Sequence, residues 1–121
     1  MSKRILLVED QPDNRQIIRD LLSATDYELT EAENGEQALA AVATQRPDLI
    51  LMDIQLPIMD GYEATRRIKA DPASRSIPII AVTSYALGGE ETKVRAAGCD
   101  GYVTKPYSPR LLLAKIREFL P

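Results

Sequence analysis

The segment Leu49-Ile50-Leu51-Met52 is apolar at every position and runs straight into Asp53. A strand apolar on both faces has to be covered on both sides, which places it inside a parallel sheet between helices. Residues 77–82 repeat the pattern and lead into Thr83, and residues 5–8 lead into Glu9-Asp10. The more polar residues 27–32 and the short stretch 101–104 complete five candidate strands.

Helical periodicity fills the gaps. Residues 14–24 put Ile17, Ile18, Leu21 and Leu22 on one face, and Pro12 suits a first turn, where a missing N–H costs nothing. Asn34 with Gln37 reads as a capping box, followed by Ala38, Leu39, Ala41 and Val42 as the buried face and Pro47 as the stop. Asp60-Gly61 is a turn signal, residues 62–70 a third helix, and Asp71-Pro72 its close. Residues 90–97 form a short fourth helix with little apolar surface, ended by Gly98. It is expected to be the least stable helix and a candidate for movement. Ser108 caps a last helix that starts at Pro109 and packs through Leu112, Leu113, Ile116 and Leu120.

Strand–helix pairs of this length need right-handed crossovers. The expected fold is one doubly wound α/β domain over residues 1–121, with strand order 2-1-3-4-5 of the flavodoxin-like type. The polar second strand takes an edge.

Several function classes drop out. The chain has no histidine, which removes Ser-His-Asp, Cys-His and histidine–metal sites. A formal charge of -3 suits nucleic-acid backbones poorly. The lone Cys99 forms no intramolecular disulfide and reads as a small apolar residue before a strand, which fits a reducing compartment. The apolar run at residues 5–8 is too short for a signal peptide, and no stretch reaches membrane-spanning length. A soluble cytoplasmic protein without membrane or direct nucleic-acid contact is expected.

In an open parallel sheet, ligands bind beyond the carboxyl ends of the strands. Those ends here are Glu9-Asp10, Asp53, Thr83 and Lys105. Carboxylates that repel one another are not gathered for stability; a hard divalent cation such as Mg²⁺ explains the cluster. The chain has no phosphate-cradling glycine motif, and Gly88-Gly89 reads as helix-start flexibility. A carboxylate beside Mg²⁺ can itself attack a phosphoryl group, with Lys105 neutralising its oxygens and Thr83 donating a hydroxyl hydrogen bond.

Val8-Glu9-Asp10, Met52-Asp53, Leu56-Pro57-x-Met59-Asp60-Gly61, Thr83 and Lys105-Pro106 together resemble the receiver domain of two-component response regulators, over essentially the whole chain. Ala64-Thr65-Arg66-Arg67-Ile68 and the segment from Ala96 to Tyr102 look most like the single-domain type similar to DivK. The resemblance implies Asp53 as acceptor of a phosphoryl group from phosphohistidine on a sensor histidine kinase or histidine phosphotransfer protein. It implies Mg²⁺ on Asp10, Asp53 and the backbone carbonyl of Gln55, with Glu9 ligating directly or through water. Lys105 would pair with Asp53 and then with the phosphoryl group, Thr83 would follow it inward, and Tyr102 would turn in as an aromatic switch. A downstream protein would read the changed face of the fourth helix, fifth strand and fifth helix. The Lys105–Pro106 bond would be cis. Ser84 stands where alanine or glycine is usual and would alter hydrolysis; Gln11 stands where asparagine is frequent and would orient a water or do nothing. Pro57 and Gly61 are expected to shape their loop. No effector domain is expected, so the chain reads as a stand-alone receiver. It assists its own phosphotransfer and autodephosphorylation rather than acting as an enzyme on a separate substrate. Three alternatives stay open: an adaptor that works without phosphorylation, a small phosphatase with Asp53 as transient nucleophile, and a receiver cut from a longer hybrid kinase or regulator. A weak homodimer through the face of the fourth helix and fifth strand, with Tyr85, Leu87 and Arg110 contributing, is compatible with any of them.

Overall fold

The computed structural model describes residues 2–83, 90–105 and 108–120. Along the chain run β1 (Arg4–Val8), α1 (Pro12–Ser23), β2 (Glu28–Ala32), α2 (Gly35–Thr44), β3 (Leu49–Asp53), α3 (Gly61–Ala70), β4 (Ile79–Thr83), α4 (Glu90–Ala97), β5 (Gly101–Thr104) and α5 (Pro109–Phe119). The sheet order is β2-β1-β3-β4-β5, all pairs parallel, as expected from the sequence.

The period-two alternation of each strand splits the core in two. Leu6, Val8, Ile50, Met52, Ile79 and Ala81 face α2, α3 and α4. Ile5, Leu7, Leu49, Leu51 and Ile80 face α1 and α5, meeting Ile18, Leu22, Leu112 and Ile116. β3 and β4 are buried at every position because they feed both layers. β2, the polar strand, sits at the edge.

The helix ends follow the local chemistry. Asn34 accepts the Gln37 N–H at 2.8 Å, while the Gln37 side chain accepts the Glu33 N–H at 2.8 Å. Asp60 caps α3 through the Glu63 N–H, and Ser108 caps α5 through the N–H groups of Arg110 and Leu111. Gly98 ends α4 with φ of 109°, a conformation that costs glycine little.

α1 begins at Pro12, the first-turn proline expected ahead of the periodic residues. The structure adjusts other boundaries. β4 begins at Ile79 rather than 77: Pro78 has no N–H to give the ladder, although its carbonyl accepts from Ile50 at 3.0 Å. Ile17, expected on the packed face of α1, is 50% exposed; the helix turns it away from Ile18 and Leu22. Cys99 is buried, as its apolar reading required. Ser84, Tyr85, Leu87, Gly88-Gly89 and the Lys105–Pro106 bond lie outside the described residues. Arg110, the other residue considered for a homodimer, is exposed on α5.

Candidate active site: an acidic cluster at the carboxyl rim of the sheet

The register brings the strand ends level. Val8 pairs with Ala32 and Met52, Asp53 with Val82, and Thr83 with Thr104. The chain therefore leaves β1, β3, β4 and β5 on one rim, and Glu9, Asp10, Asp53, Thr83 and Lys105 gather there.

Glu9, Asp10 and Asp53 each offer a carboxylate oxygen, and these atoms lie within 4.8 Å of one another. Lys105 Nζ sits between two of the acids, 3.1 Å from Glu9 Oε1 and 3.3 Å from Asp53 Oδ2. The other oxygen of Asp53, Oδ1, accepts the Gln55 backbone N–H at 3.1 Å. Glu9 Oε2 accepts the Gln11 N–H at 3.1 Å, and the Gln11 side-chain amide donates to Asp10 Oδ2 at 3.3 Å.

Both Glu9 and Asp53 are about 95% buried, at 4% and 5% exposure. Burial raises the Asp53 pKa to about 6, helped by the Glu9 carboxylate and opposed by Lys105 and the Gln55 N–H. Burial also pushes Glu9 upward, but the Gln11 N–H and Lys105 outweigh it and hold Glu9 below its usual value. Lys105 loses charge stability to burial yet keeps a raised pKa because Asp53 and Glu9 face it. One ammonium thus offsets two buried carboxylates, leaving a negative excess. Hard oxygen donors at this spacing fit a small divalent cation, and Mg²⁺ favours carboxylates while retaining waters.

Two glycines hold this rim together. A Cβ on Gly61 would lie 2.3 Å from the Asp53 carbonyl oxygen, so only glycine lets α3 start this close to β3. A Cβ on Gly35 would lie 2.7 Å from the Met59 carbonyl oxygen. Between them the loop carries Ile58, which is 77% exposed with φ of 70°, a region that β-branched residues rarely enter. The sequence pointed to Gly61 as a loop former; the part of Gly35 had no signal, since a helix-start glycine is ordinary.

Thr83 is fully buried at the end of β4, and its carbonyl accepts the Lys105 N–H at 2.6 Å. Tyr102 is half-buried in β5 and packs on the core of the α2–α4 side. One element escaped the sequence reading. Arg15 reaches back from α1 and donates from Nη1 to the Glu9 carbonyl at 2.8 Å.

Residues 5–117 match the response regulator receiver domain family. The polar-differentiation response regulator DivK of Brucella anthropi is 43% identical over 120 residues, covering 99% of this chain and 98% of its own. The receiver domain of a sensor histidine kinase from Pseudomonas aeruginosa, solved with a magnesium ion in its active-site cleft, superposes with a TM-score of 0.91 at 39% identity, covering 99% of this chain and 98% of that one. The chemotaxis response regulator CheY4 of Vibrio cholerae gives 0.93 at 27% identity, covering 98% and 99%. An acidic cluster able to hold a metal, on a sheet of this order, is what a phosphate-accepting switch requires, and the chain belongs to the response regulator receiver domain family.

Proposed function

We propose that Asp53 is the phosphoacceptor and that the rim around it performs the transfer. The observation that carries this is the placement of Asp53: a buried carboxylate at the end of β3, beside Lys105 and two further acids. An Asp53 carboxylate oxygen attacks phosphorus in line, the bond from phosphorus to the donor nitrogen breaks, and an aspartyl phosphate forms. Asp10, Asp53 and the Gln55 carbonyl would hold Mg²⁺, with Glu9 ligating directly or through water. Bound there, the ion supplies positive charge against the phosphoryl oxygens.

The chain's own groups do the rest. The Gln55 N–H fixes one Asp53 oxygen, which orients the other. Lys105 is already within reach of Asp53 and exchanges that contact for a phosphoryl oxygen as charge builds. The Thr83 hydroxyl donates to a second phosphoryl oxygen, and Tyr102 turns inward as Thr83 moves. The added charge biases two packings of the face formed by α4, β5 and α5. Water later hydrolyses the acyl phosphate, so the domain assists both halves of its own cycle.

Donor and output are proteins in this reading: a histidine kinase or phosphotransfer protein, and a downstream partner. Three large apolar side chains are strongly exposed among the described residues: Ile17 on α1, Ile58 after β3 and Leu111 in the first turn of α5. All three belong to segments that leave the acid-bearing rim, where a donor protein has to dock.

Intact mass of wild type and Asp53→Ala, after acetyl phosphate with and without Mg²⁺, tests the acceptor. A Mg²⁺-dependent gain of one phosphoryl group in wild type alone supports the reading. The same gain in Asp53→Ala would remove it.

A further inference from the structure

The geometry points to Arg15 as a positioning residue that aims the Glu9-Asp10 turn, and through it the metal-binding carboxylates, by clamping the Glu9 carbonyl. This rests on the acceptor-site reading above and adds a residue that does not touch the reacting atoms.

Arg15 lies on α1, six residues beyond Glu9. Its three guanidinium nitrogens go to three different partners. Nη1 donates to the Glu9 carbonyl at 2.8 Å. Nε lies 3.4 Å from Glu31 Oε1, and Nη2 lies 3.3 Å from Glu33 Oε1. Glu31 is itself gripped by Arg19, at 2.9 Å and 2.7 Å. The Arg15 side chain is only 13% exposed, so solvent screens its contacts with the Glu9 carbonyl and Glu31 weakly, whereas Glu33 is 58% exposed and its pair is screened more.

The Glu9 backbone is therefore held from both directions. Its N–H donates to the Ala32 carbonyl at 3.0 Å, and its carbonyl, past the end of the strand ladder, accepts from Arg15. The N–H fixes the peptide plane before Glu9, and the Arg15 bond to the carbonyl fixes the plane joining Glu9 to Asp10, which sets where the Asp10 side chain starts. The Gln11 amide contact to Asp10, exposed and 3.3 Å long, is too weak to aim it alone. The planar guanidinium is a directional donor to the Glu9 carbonyl, which a lysine ammonium does not reproduce.

A purely structural clamp between α1 and β2 would use the same ion pairs, so the test separates the two. Mg²⁺ is titrated into the full chain and followed by the amide NMR shifts of Glu9, Asp10 and Asp53, alongside thermal melts of the metal-free protein. Arg15→Met is expected to weaken Mg²⁺ binding by about tenfold, the scale typical for residues that orient metal ligands. Its phosphorylation rate by acetyl phosphate should return close to wild type once Mg²⁺ saturates. The double variant Glu31→Gln/Glu33→Gln keeps the bond to the Glu9 carbonyl and should hold near-wild-type Mg²⁺ affinity, even with a lowered melting temperature. Arg15→Lys, the milder variant, should fall between. Wild-type affinity in Arg15→Met overturns the inference; so does wild-type affinity in Arg15→Lys should Arg15→Met fail to fold. Equal losses in Arg15→Met and the double variant overturn it as well, because they assign the effect to the α1–β2 clamp. A wild type that binds no Mg²⁺ removes the acceptor-site reading and this inference with it, an outcome separate from the others.

Discussion

At the scale of single residues, the site is defined by a charge imbalance. Asp53 is buried beside Glu9, and its pKa near 6 means that its ionised form is disfavoured in the metal-free fold. A folded-state pKa above the unfolded value means that the folded protein binds the proton more tightly. Metal-free stability should therefore rise as pH falls through about 6 toward the ordinary carboxylate range. Asp53→Asn should capture this gain at neutral pH, stabilising the metal-free protein by up to about 3 kcal/mol, since each pH unit between the ordinary value of 3.8 and about 6 is worth about 1.4 kcal/mol. Thermal melts of the two proteins at pH 7.5 and pH 5 check it. The difference should shrink at the lower pH; a constant difference would assign the effect to something other than charge. Asp53, Glu9, Asp10, Thr83 and Lys105 were legible in the sequence because each ends a strand, and strand ends can be read from hydrophobic runs. Arg15 was not, because its target is a backbone carbonyl and its anchors, Glu31 and Glu33, belong to another strand–loop segment.

At the scale of elements, the distance between α3 and β3 is set by Gly61. Gly61→Ala would put a methyl group 2.3 Å from the Asp53 carbonyl oxygen, so one backbone has to yield. Such overpacking costs about 1–3 kcal/mol. The displaced atom belongs to Asp53, so the variant should also slow Mg²⁺-dependent phosphorylation. Chemical denaturation together with acetyl phosphate kinetics measures both; lost stability with an unchanged rate would separate the loop from the chemistry. The elements themselves were readable where periodicity and caps agree: Asn34, Ser108 and Gly98 mark helix ends in the positions expected. They were less readable where apolar residues crowd. Ile17 and Ile18 are alike in sequence, and only the rotation of α1 against the sheet decides that Ile18 is buried while Ile17 is half-exposed. The start of β4 was missed for a similar reason, since Ile77 is apolar and buried yet precedes a proline that has no N–H to give the ladder.

At the scale of the whole molecule, the segments that leave the acid-bearing rim, α1, α5 and the loop after β3, carry the exposed apolar side chains Ile17, Leu111 and Ile58. Ile17→Asp should slow phosphotransfer from a phosphohistidine protein about tenfold or more, an effect of the size that hot-spot contacts produce. Phosphorylation by acetyl phosphate should be unchanged, since a small donor needs no docking face. Parallel time courses with the two donors decide it, and equal slowing by both would place the defect in the site.

The strand that ends in Asp53 also lies at the centre of the sheet and contributes to both cores. Its amides can be released only when both layers open, so they should exchange with deuterium at the rate of global unfolding. The acceptor is thus mounted on the last part of the molecule to come apart. Fraying at the edge strand β2 or at chain ends leaves its bearing intact, and the lifetime of a correctly aimed Asp53 is the lifetime of the fold.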